Sequence, residues 1–135
     1  MTNSLIITIP GKPIAKKRPR FARRGKFVVA YSDQQTEEGK WILTARQFIK
    51  EKIPEGVPIL LKCIFWMPIP KSISQRKHAE ILHERHIRKP DLDNMLKFIK
   101  DCLNGELWND DSQVAEVRMG KIYDDNPRTE ITVSW

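Results

Sequence analysis

The pattern of hydrophobic and polar positions predicts five strands, because short apolar runs rich in β-branched residues lie between turn-forming residues. The predicted strands cover residues 5–9, 27–31, 57–67, 114–123 and 130–135. The run at 57–67 is the most apolar, so we expect that strand to be largely buried. The turn sequence Asp124-Asp125-Asn126-Pro127 separates the last two strands, which we therefore expect to form a hairpin.

Helical spacing of apolar residues predicts three helices. The first begins near Ser32-Asp33-Gln34-Gln35, which resembles a capping box, and continues to Ile53 before Pro54-Glu55-Gly56 ends it. The second covers about 72–85, begins at a serine, and has the polar pattern of a surface element.

The third helix follows Pro90 and carries most of the candidate chemistry. Asp91 or Asp93 can cap its N-terminus, and Asn104-Gly105 is a strong stop signal. Its apolar stripe comprises Leu92, Met95, Leu96, Ile99, Cys102 and Leu103. Its opposite face carries Asp93, Asn94, Lys97, Lys100 and Asp101. Core packing of the stripe is therefore expected to present a polar shelf to solvent.

A second acidic pair, Asp110-Asp111, follows soon after this helix. Carboxylates gathered in a cationic chain favour a divalent metal site that works on a polyanion, since Mg²⁺ takes one or two carboxylates together with waters and phosphate oxygens. The alternative is that these acids only cap the helix and occupy solvated turns. Spacing leaves both interpretations open, and does not show whether Asp111 returns towards Asp91. An EF-hand is excluded, because Met95 and Leu96 stand where its calcium loop needs Asp or Asn followed by Gly.

Composition points to a polyanionic partner. The chain has 135 residues, which fits one domain over residues 1–135, and its formal net charge is +7. A charge of this sign favours association with nucleic acid, although it says nothing about the fold.

Several function classes are disfavoured by the sequence. Cys63 and Cys102 lie in apolar patterns, so we expect buried, reduced thiols and not a disulfide scaffold. The N-terminus lacks the pattern of a signal peptide, and the apolar run at 57–70 is too short to span a membrane, so a cytoplasmic protein is expected. The histidines at 78, 83 and 86 match no usual zinc spacing and are expected at the surface. No Walker A or Gly-x-Gly-x-x-Gly sequence is present, which argues against a nucleotide cofactor.

Residues 10–26 form a basic arm that contains no acidic residue. Its candidate phosphate-binding residues are Lys16, Lys17, Arg18, Arg20, Arg23 and Arg24. The density of cations favours phosphate contact over a merely solubilising loop. Phe21 and Phe27 are compatible with two roles, stacking on bases or anchoring the arm.

The chain resembles the RusA family of Holliday junction resolvases, which are small dimeric endonucleases often encoded by phages and prophages. The resemblance is carried by Lys89-Pro90-Asp91-Leu92-Asp93-Asn94, by Lys97, Asp101 and Leu103, by Asn104-Gly105 and Trp108, by Asp110-Asp111 and Gln113-Val114, and by Lys121 on a strand. Ile9-Pro10-Gly11-Lys12-Pro13 and Lys17-Arg18-Pro19-Arg20 resemble phage-type members. The resemblance implies an α+β fold, with a small mixed, mainly antiparallel sheet packed against two or three helices, in a homodimer.

The resemblance also implies roles for individual residues. Asp91, Asp93 and Asp111 would hold Mg²⁺ or Mn²⁺, directly or through water, and Lys97 would stabilise charge in the transition state. Some members have an arginine where this chain has Pro90, so a phosphate contact is expected from Arg88 or Lys89 instead.

The expected function is metal-dependent, structure-selective cleavage of branched DNA, with paired symmetric cuts that resolve a four-way junction in recombination and repair. Two alternatives remain open. The chain is a non-catalytic DNA-binding protein whose acids cap a helix, or it is a flap nuclease that uses the same carboxylates.

Overall fold

A four-stranded mixed sheet forms the centre of the molecule. The computed structural model describes residues 1–18, 20–31 and 34–135, and for residues 20 and 29–31 it describes the backbone alone. The strands are β1 (Ser4–Pro10), β2 (Arg20–Arg24), β3 (Phe27–Tyr31), β4 (Ile59–Pro68), β5 (Val114–Asp124) and β6 (Arg128–Ser134). The main sheet has the order β1-β6-β4-β5, and β2 pairs with β3 separately. The predicted α+β class with a mixed, mainly antiparallel sheet is confirmed.

The predicted hairpin between the last two strands is wrong. β4 lies between β5 and β6, parallel to β5 and antiparallel to β6, so the turn at 124–127 crosses the end of β4. β4 is the most apolar strand, and pairing on both of its edges buries it most completely. The parallel β4–β5 pair requires a long crossover, which residues 69–113 supply with two helices.

Within the described ranges, three α-helices accompany the sheet: α1 (Gln35–Arg46), α2 (Gln75–Ile81) and α3 (Leu92–Leu103). The core-facing side chains of β4 alternate along the strand, as in Leu61, Cys63 and Phe65, and are fully buried. Trp41 of α1 meets Phe98 of α3 edge to face, with 5.9 Å between ring centroids, so both helices contribute to the same core.

Two helix boundaries differ from the prediction. α1 ends at Arg46, and the buried Ile53 lies beyond it in an irregular segment whose amide donates to the Leu107 carbonyl. Part of the expected capping box at 32–35 lies outside the described residues. α2 is capped by Ser74 but ends at Ile81, because the chain then turns to follow the sheet edge.

The segment after α2 covers the outer edge of β5. The amides of His83 and His86 donate to the carbonyls of Tyr123 and Lys121, and the Tyr123 amide donates to the Glu84 carbonyl. These bonds satisfy backbone groups of an edge strand that would otherwise be exposed. They also deliver the chain to the start of α3 from a fixed position on the sheet.

The basic arm is anchored at its base. The Gln34 side-chain amide accepts from the Lys17 backbone N–H at 2.7 Å and donates to the Ala15 carbonyl at 2.8 Å. The Lys16 amide donates to the Asn94 carbonyl at 2.9 Å, which ties the arm to the first turn of α3. Beyond this anchor the chain enters the β2–β3 hairpin, of which the sequence pattern predicted only β3. Gly25, with φ of 62°, occupies the first position of its two-residue turn.

Both cysteines are buried and unpaired, as predicted. Burial raises the pKa of the Cys63 and Cys102 thiols to about 12. In the described part of the chain, no helix is long and apolar enough to cross a membrane.

Candidate active site

Acidic and basic residues from α3 and from the following turn meet in one open depression. Asp93 and Lys97 of α3 line it together with Asp111, and the depression has a volume of about 340 Å³. The remaining lining residues are Leu96, Lys100 and Asp101. The chain therefore does bring Asp111 back to the polar face of α3, which spacing alone had left open.

Core packing sets the orientation of α3. Its buried side chains are Met95, Phe98, Ile99, Cys102 and Leu103. Phe98 was missing from the predicted stripe, whereas Leu96 lies at the edge of the stripe and borders the depression. Since the buried stripe defines the inward face, Asp93 and Lys97 are exposed to solvent.

Asp111 is positioned by a buried tryptophan. The Trp108 indole is fully buried, and its Nε1–H donates to Asp111 Oδ1 at 2.8 Å. This bond occupies one position on one carboxylate oxygen and leaves the other oxygen available. The neighbouring Asp110 has a different task, because its side chain accepts from the Ser112 N–H and caps a short 3₁₀ turn. The sequence motif contained Trp108, but its role was not predicted.

Asp91 stands apart from the depression. It is the N-cap residue of α3, yet its side chain makes no cap hydrogen bond. It does not line the depression that Asp93 and Asp111 share. Among the described residues, no group of three or more His, Cys, Asp or Glu side chains is close enough to hold a metal ion. The structure thus joins two of the three candidate carboxylates.

This donor set fits a hard divalent cation. Mg²⁺ keeps several waters and takes one or two protein carboxylates along with substrate phosphate oxygens. Asp93 and Asp111 supply two carboxylates at an open surface, where water and phosphate have access. Asp91 stands at the N-cap position of α3, but its side chain forms no cap hydrogen bond, so capping does not occupy this carboxylate.

The lysines around the site fall into two classes. Among the described residues, Lys97 forms no ion pair or side-chain hydrogen bond, so its ammonium group is free beside Asp93 and Asp111. Lys16, by contrast, bridges Glu38 at 2.7 Å and Asp101 at 3.1 Å. Partial burial works against its charge, but the hydrogen bonds that Lys16 donates to both carboxylates raise its pKa overall.

The loop before α3 is held by a lysine that sequence reasoning noted without assigning a role. Lys121 Nζ donates to the carbonyl of Arg88 at 2.6 Å and to that of Pro90 at 2.8 Å. The peptide bond between Lys89 and Pro90 is cis. Both carbonyls lie within three residues of Asp91, so β5 fixes the backbone from which this carboxylate extends.

Most of the candidate phosphate-binding residues are free. The exposed members of the set are Lys17, Arg18, Arg23, Arg24, Arg88 and Lys89. In the part of the chain that the structure describes, none of these side chains forms an ion pair. The Arg20 side chain lies outside the described part.

The Asp124-Asp125 pair is already engaged by histidines. Asp124 and Asp125 accept from His83 at 2.8 Å and His78 at 2.6 Å, respectively. Although burial opposes ionisation of Asp124, hydrogen bonds from His83, the Asn126 amide and Arg128 hold its pKa below the usual value. These carboxylates therefore serve a structural network at the far end of β5.

A larger cavity, of about 520 Å³, lies on the second face of the sheet against the segment at 85–87. Its lining combines apolar residues with cations such as Lys62 and Arg118, and no described residue that lines it carries a carboxylate. Of these two cavities, the smaller one that Asp93 and Asp111 line is therefore the one with carboxylate ligands for a divalent cation.

Comparison with known proteins agrees with the geometry. A family model described as endodeoxyribonuclease RusA matches residues 10–134. The uncharacterised protein YqaN of Bacillus subtilis (strain 168) is 33% identical over 132 residues, which cover 93% of this chain and 92% of that protein. The match to the family model spans the arm, α3, the turn with Asp111 and the strand with Lys121. The chain belongs to the RusA family of endodeoxyribonucleases.

Proposed function

We propose that this protein resolves Holliday junctions by metal-dependent, paired and symmetric hydrolysis of phosphodiester bonds in DNA recombination and repair. The observation that carries the proposal is the shared depression of Asp93, Asp111 and the unpaired Lys97. Family membership supports the nuclease class, and the net charge of +7 suits a DNA substrate.

Asp93 and Asp111 would hold Mg²⁺ or Mn²⁺, and Asp91 would act as a third ligand, directly or through water. Such an ion, when bound, polarises a phosphate and lowers the pKa of water. Trp108 keeps Asp111 in place through its indole N–H, so part of the site is preorganised. Lys121 likewise fixes the backbone before Asp91, because it donates hydrogen bonds to the carbonyls of Arg88 and Pro90.

Lys97 would stabilise the negative charge that builds up on the phosphoryl oxygens during cleavage. Its ammonium group has no competing carboxylate partner among the described residues, so it is available for this task. An exposed i,i+4 pair with Asp93 would contribute only about 0.3–0.5 kcal/mol to stability. Loss of one preorganised donor to transition-state charge costs roughly 10²–10³ in turnover.

Two copies of the chain would act together. A four-way junction must be cut twice, and a twofold homodimer presents two equal sites to a pseudo-twofold substrate. The protein would act on branched DNA in the cytoplasm, and it would need neither a membrane nor a nucleotide cofactor.

The first prediction concerns the shared depression. Asp93→Asn and Asp111→Asn should nearly abolish cleavage of a synthetic four-way junction, because a neutral amide is a poor ligand for a hard cation. Lys97→Ala should lower the single-turnover rate by roughly 10²–10³ with an unchanged melting temperature. Lys40→Ala, on the exposed face of α1, is the matched control and should cut like the wild type.

A panel of junction, fork, flap and duplex substrates at one salt concentration completes this test. Preference for junctions supports resolution, whereas equal or faster cutting of flaps supports the alternative nuclease. Near-wild-type cleavage by Asp93→Asn, or a Lys97→Ala rate within about threefold of the wild type, would contradict the assigned roles.

The second prediction concerns Lys121 as a positioning residue. Lys121→Met removes both hydrogen bonds to the loop at 88–90, so Asp91 loses its fixed backbone. We expect a slower single-turnover rate and a higher Mg²⁺ concentration for half-maximal cleavage, with an unchanged salt dependence of junction binding. Lys62→Met on the neighbouring β4 is the control. A flatter salt dependence with normal cleavage of bound junction would show instead that Lys121 contacts phosphate.

The third prediction separates two adjacent lysines of the arm. Lys17→Gln should weaken binding to all DNA sequences alike and reduce the salt slope by about one unit, because a phosphate contact is lost. Lys16→Gln should mainly lower the melting temperature, since Glu38 and Asp101 would lose the cation between them. Fluorescence anisotropy across a salt series and a thermal melt measure both effects. The reverse pattern would show that Lys16 is the phosphate contact.

A further inference from the structure

The β2–β3 hairpin exposes two aromatic rings. Phe21 is 71% exposed and Phe27 is 75% exposed, so neither ring anchors the arm in the core. Val28 beside them is 65% exposed. Among the hairpin residues whose side chains are described, 21–28, none belongs to the hydrophobic core or to the side chains packed against it. Of the two roles that the sequence allowed for these phenylalanines, the anchoring role is therefore wrong.

These rings do little for folding. The hairpin forms a two-stranded sheet of its own, and such a hairpin is at best marginally stable without further packing. By the strand register Phe21 and Val28 lie on the same face of the hairpin, and adjoining apolar side chains on an exposed surface usually mark an interaction site. Core packing does not explain why Phe21 and Phe27 are aromatic, whereas a role in binding does.

Among residues 21–28, whose side chains are described, the register of the hairpin places a phenylalanine and an arginine on each face. Arg23 pairs with Val28 and Arg24 pairs with Phe27. Because side chains alternate along a strand, Phe21 and Arg23 share one face, while Arg24 and Phe27 share the other. An aromatic face beside a cation is the combination that binds unstacked bases together with their phosphates.

The segment that leads into the hairpin is anchored beside Asp93. Lys16 at its base is tied to the carbonyl of Asn94, which directly follows Asp93. The strand β2 begins four residues after Lys16 and extends for five residues, or roughly 16 Å. DNA bound in the depression would therefore lie within reach of the hairpin.

We propose that the β2–β3 hairpin is a base-stacking element that inserts Phe21 and Phe27 against unstacked bases at the branch point of DNA. In continuous duplex the faces of the bases are covered by their neighbours, so the rings gain nothing there. At a branch point strands separate and base faces become available. This inference rests on the proposed function, because it requires a branched substrate.

Charge argues for DNA over a second copy of the chain as the occupant. Residues 10–31 contain no acidic residue, and the whole chain has a net charge of +7. Two cationic hairpins would repel each other, whereas the phosphates around a branch point attract both guanidinium groups.

The test uses a four-way junction with 2-aminopurine at the branch point, because its fluorescence reports on the stacking of that base. Binding is measured in EDTA so that no cleavage occurs, with Phe21→Ala, Phe27→Ala and Phe27→Leu beside the wild type. Leu43→Ala is the matched control, since Leu43 is an apolar side chain on α1 that is 61% exposed.

We expect each Phe→Ala change to weaken junction binding by roughly 5- to 100-fold and to remove the wild-type fluorescence change. Phe27→Leu should do nearly the same, because a leucine is apolar but presents no flat ring. Affinity for continuous duplex and the salt slope should stay at wild-type values, and Leu43→Ala should be neutral throughout.

Three results would overturn the inference. The first is that the Phe variants match the wild type in fluorescence and affinity. The second is that they lose duplex and junction binding equally, and the third is that they change the dimer fraction in sedimentation without a fluorescence effect. Cleavage of the same four-way junction by the wild type in Mg²⁺ tests the proposed function separately. If the wild type cleaves the junction normally and the Phe variants bind it like the wild type, the hairpin role alone is rejected. If the wild type shows the fluorescence change but does not cleave, only the catalytic proposal is rejected.

Discussion

Burial of one face of α3 is the constraint on which the site depends. Five side chains of this twelve-residue helix are buried in the core, so its rotation about its own axis is determined by packing. Interiors are close-packed, and a rotated helix would leave a cavity on one side and clashes on the other. Asp93 and Lys97 are held on the exposed face by residues that never touch a substrate.

The same physical principle positions the second carboxylate. Leu107 and Trp108 are fully buried directly after the helix, which pulls the chain back across the end of α3. The buried indole N–H needs an acceptor, because an unpaired polar group in the interior is costly, and Asp111 supplies it. One bond thus satisfies a core donor and orients a carboxylate towards the depression.

The sequence predicted local features better than long-range pairing. Apolar spacing identified α3, and Asn104-Gly105 marked where it stops. Family resemblance singled out Asp91, Asp93 and Asp111, of which the last two share the depression. Periodicity alone does not specify the partner of a strand, so the turn at 124–127 suggested a hairpin where β4 intervenes. β2 was missed because its arginines give no strand signal, although Gly25 marks the turn. The role of Lys121 was beyond reach, since its bonds to residues 88 and 90 depend on the sheet.

The central claim is that Asp93 and Asp111 share one divalent cation. Anomalous diffraction from crystals grown with Mn²⁺ tests it without relying on activity. The account predicts a Mn²⁺ peak between these two carboxylates, and predicts that the peak disappears in Asp93→Asn crystals. A Mn²⁺ ion bound elsewhere, for instance at Asp124, with none beside Asp93 and Asp111, would contradict the account.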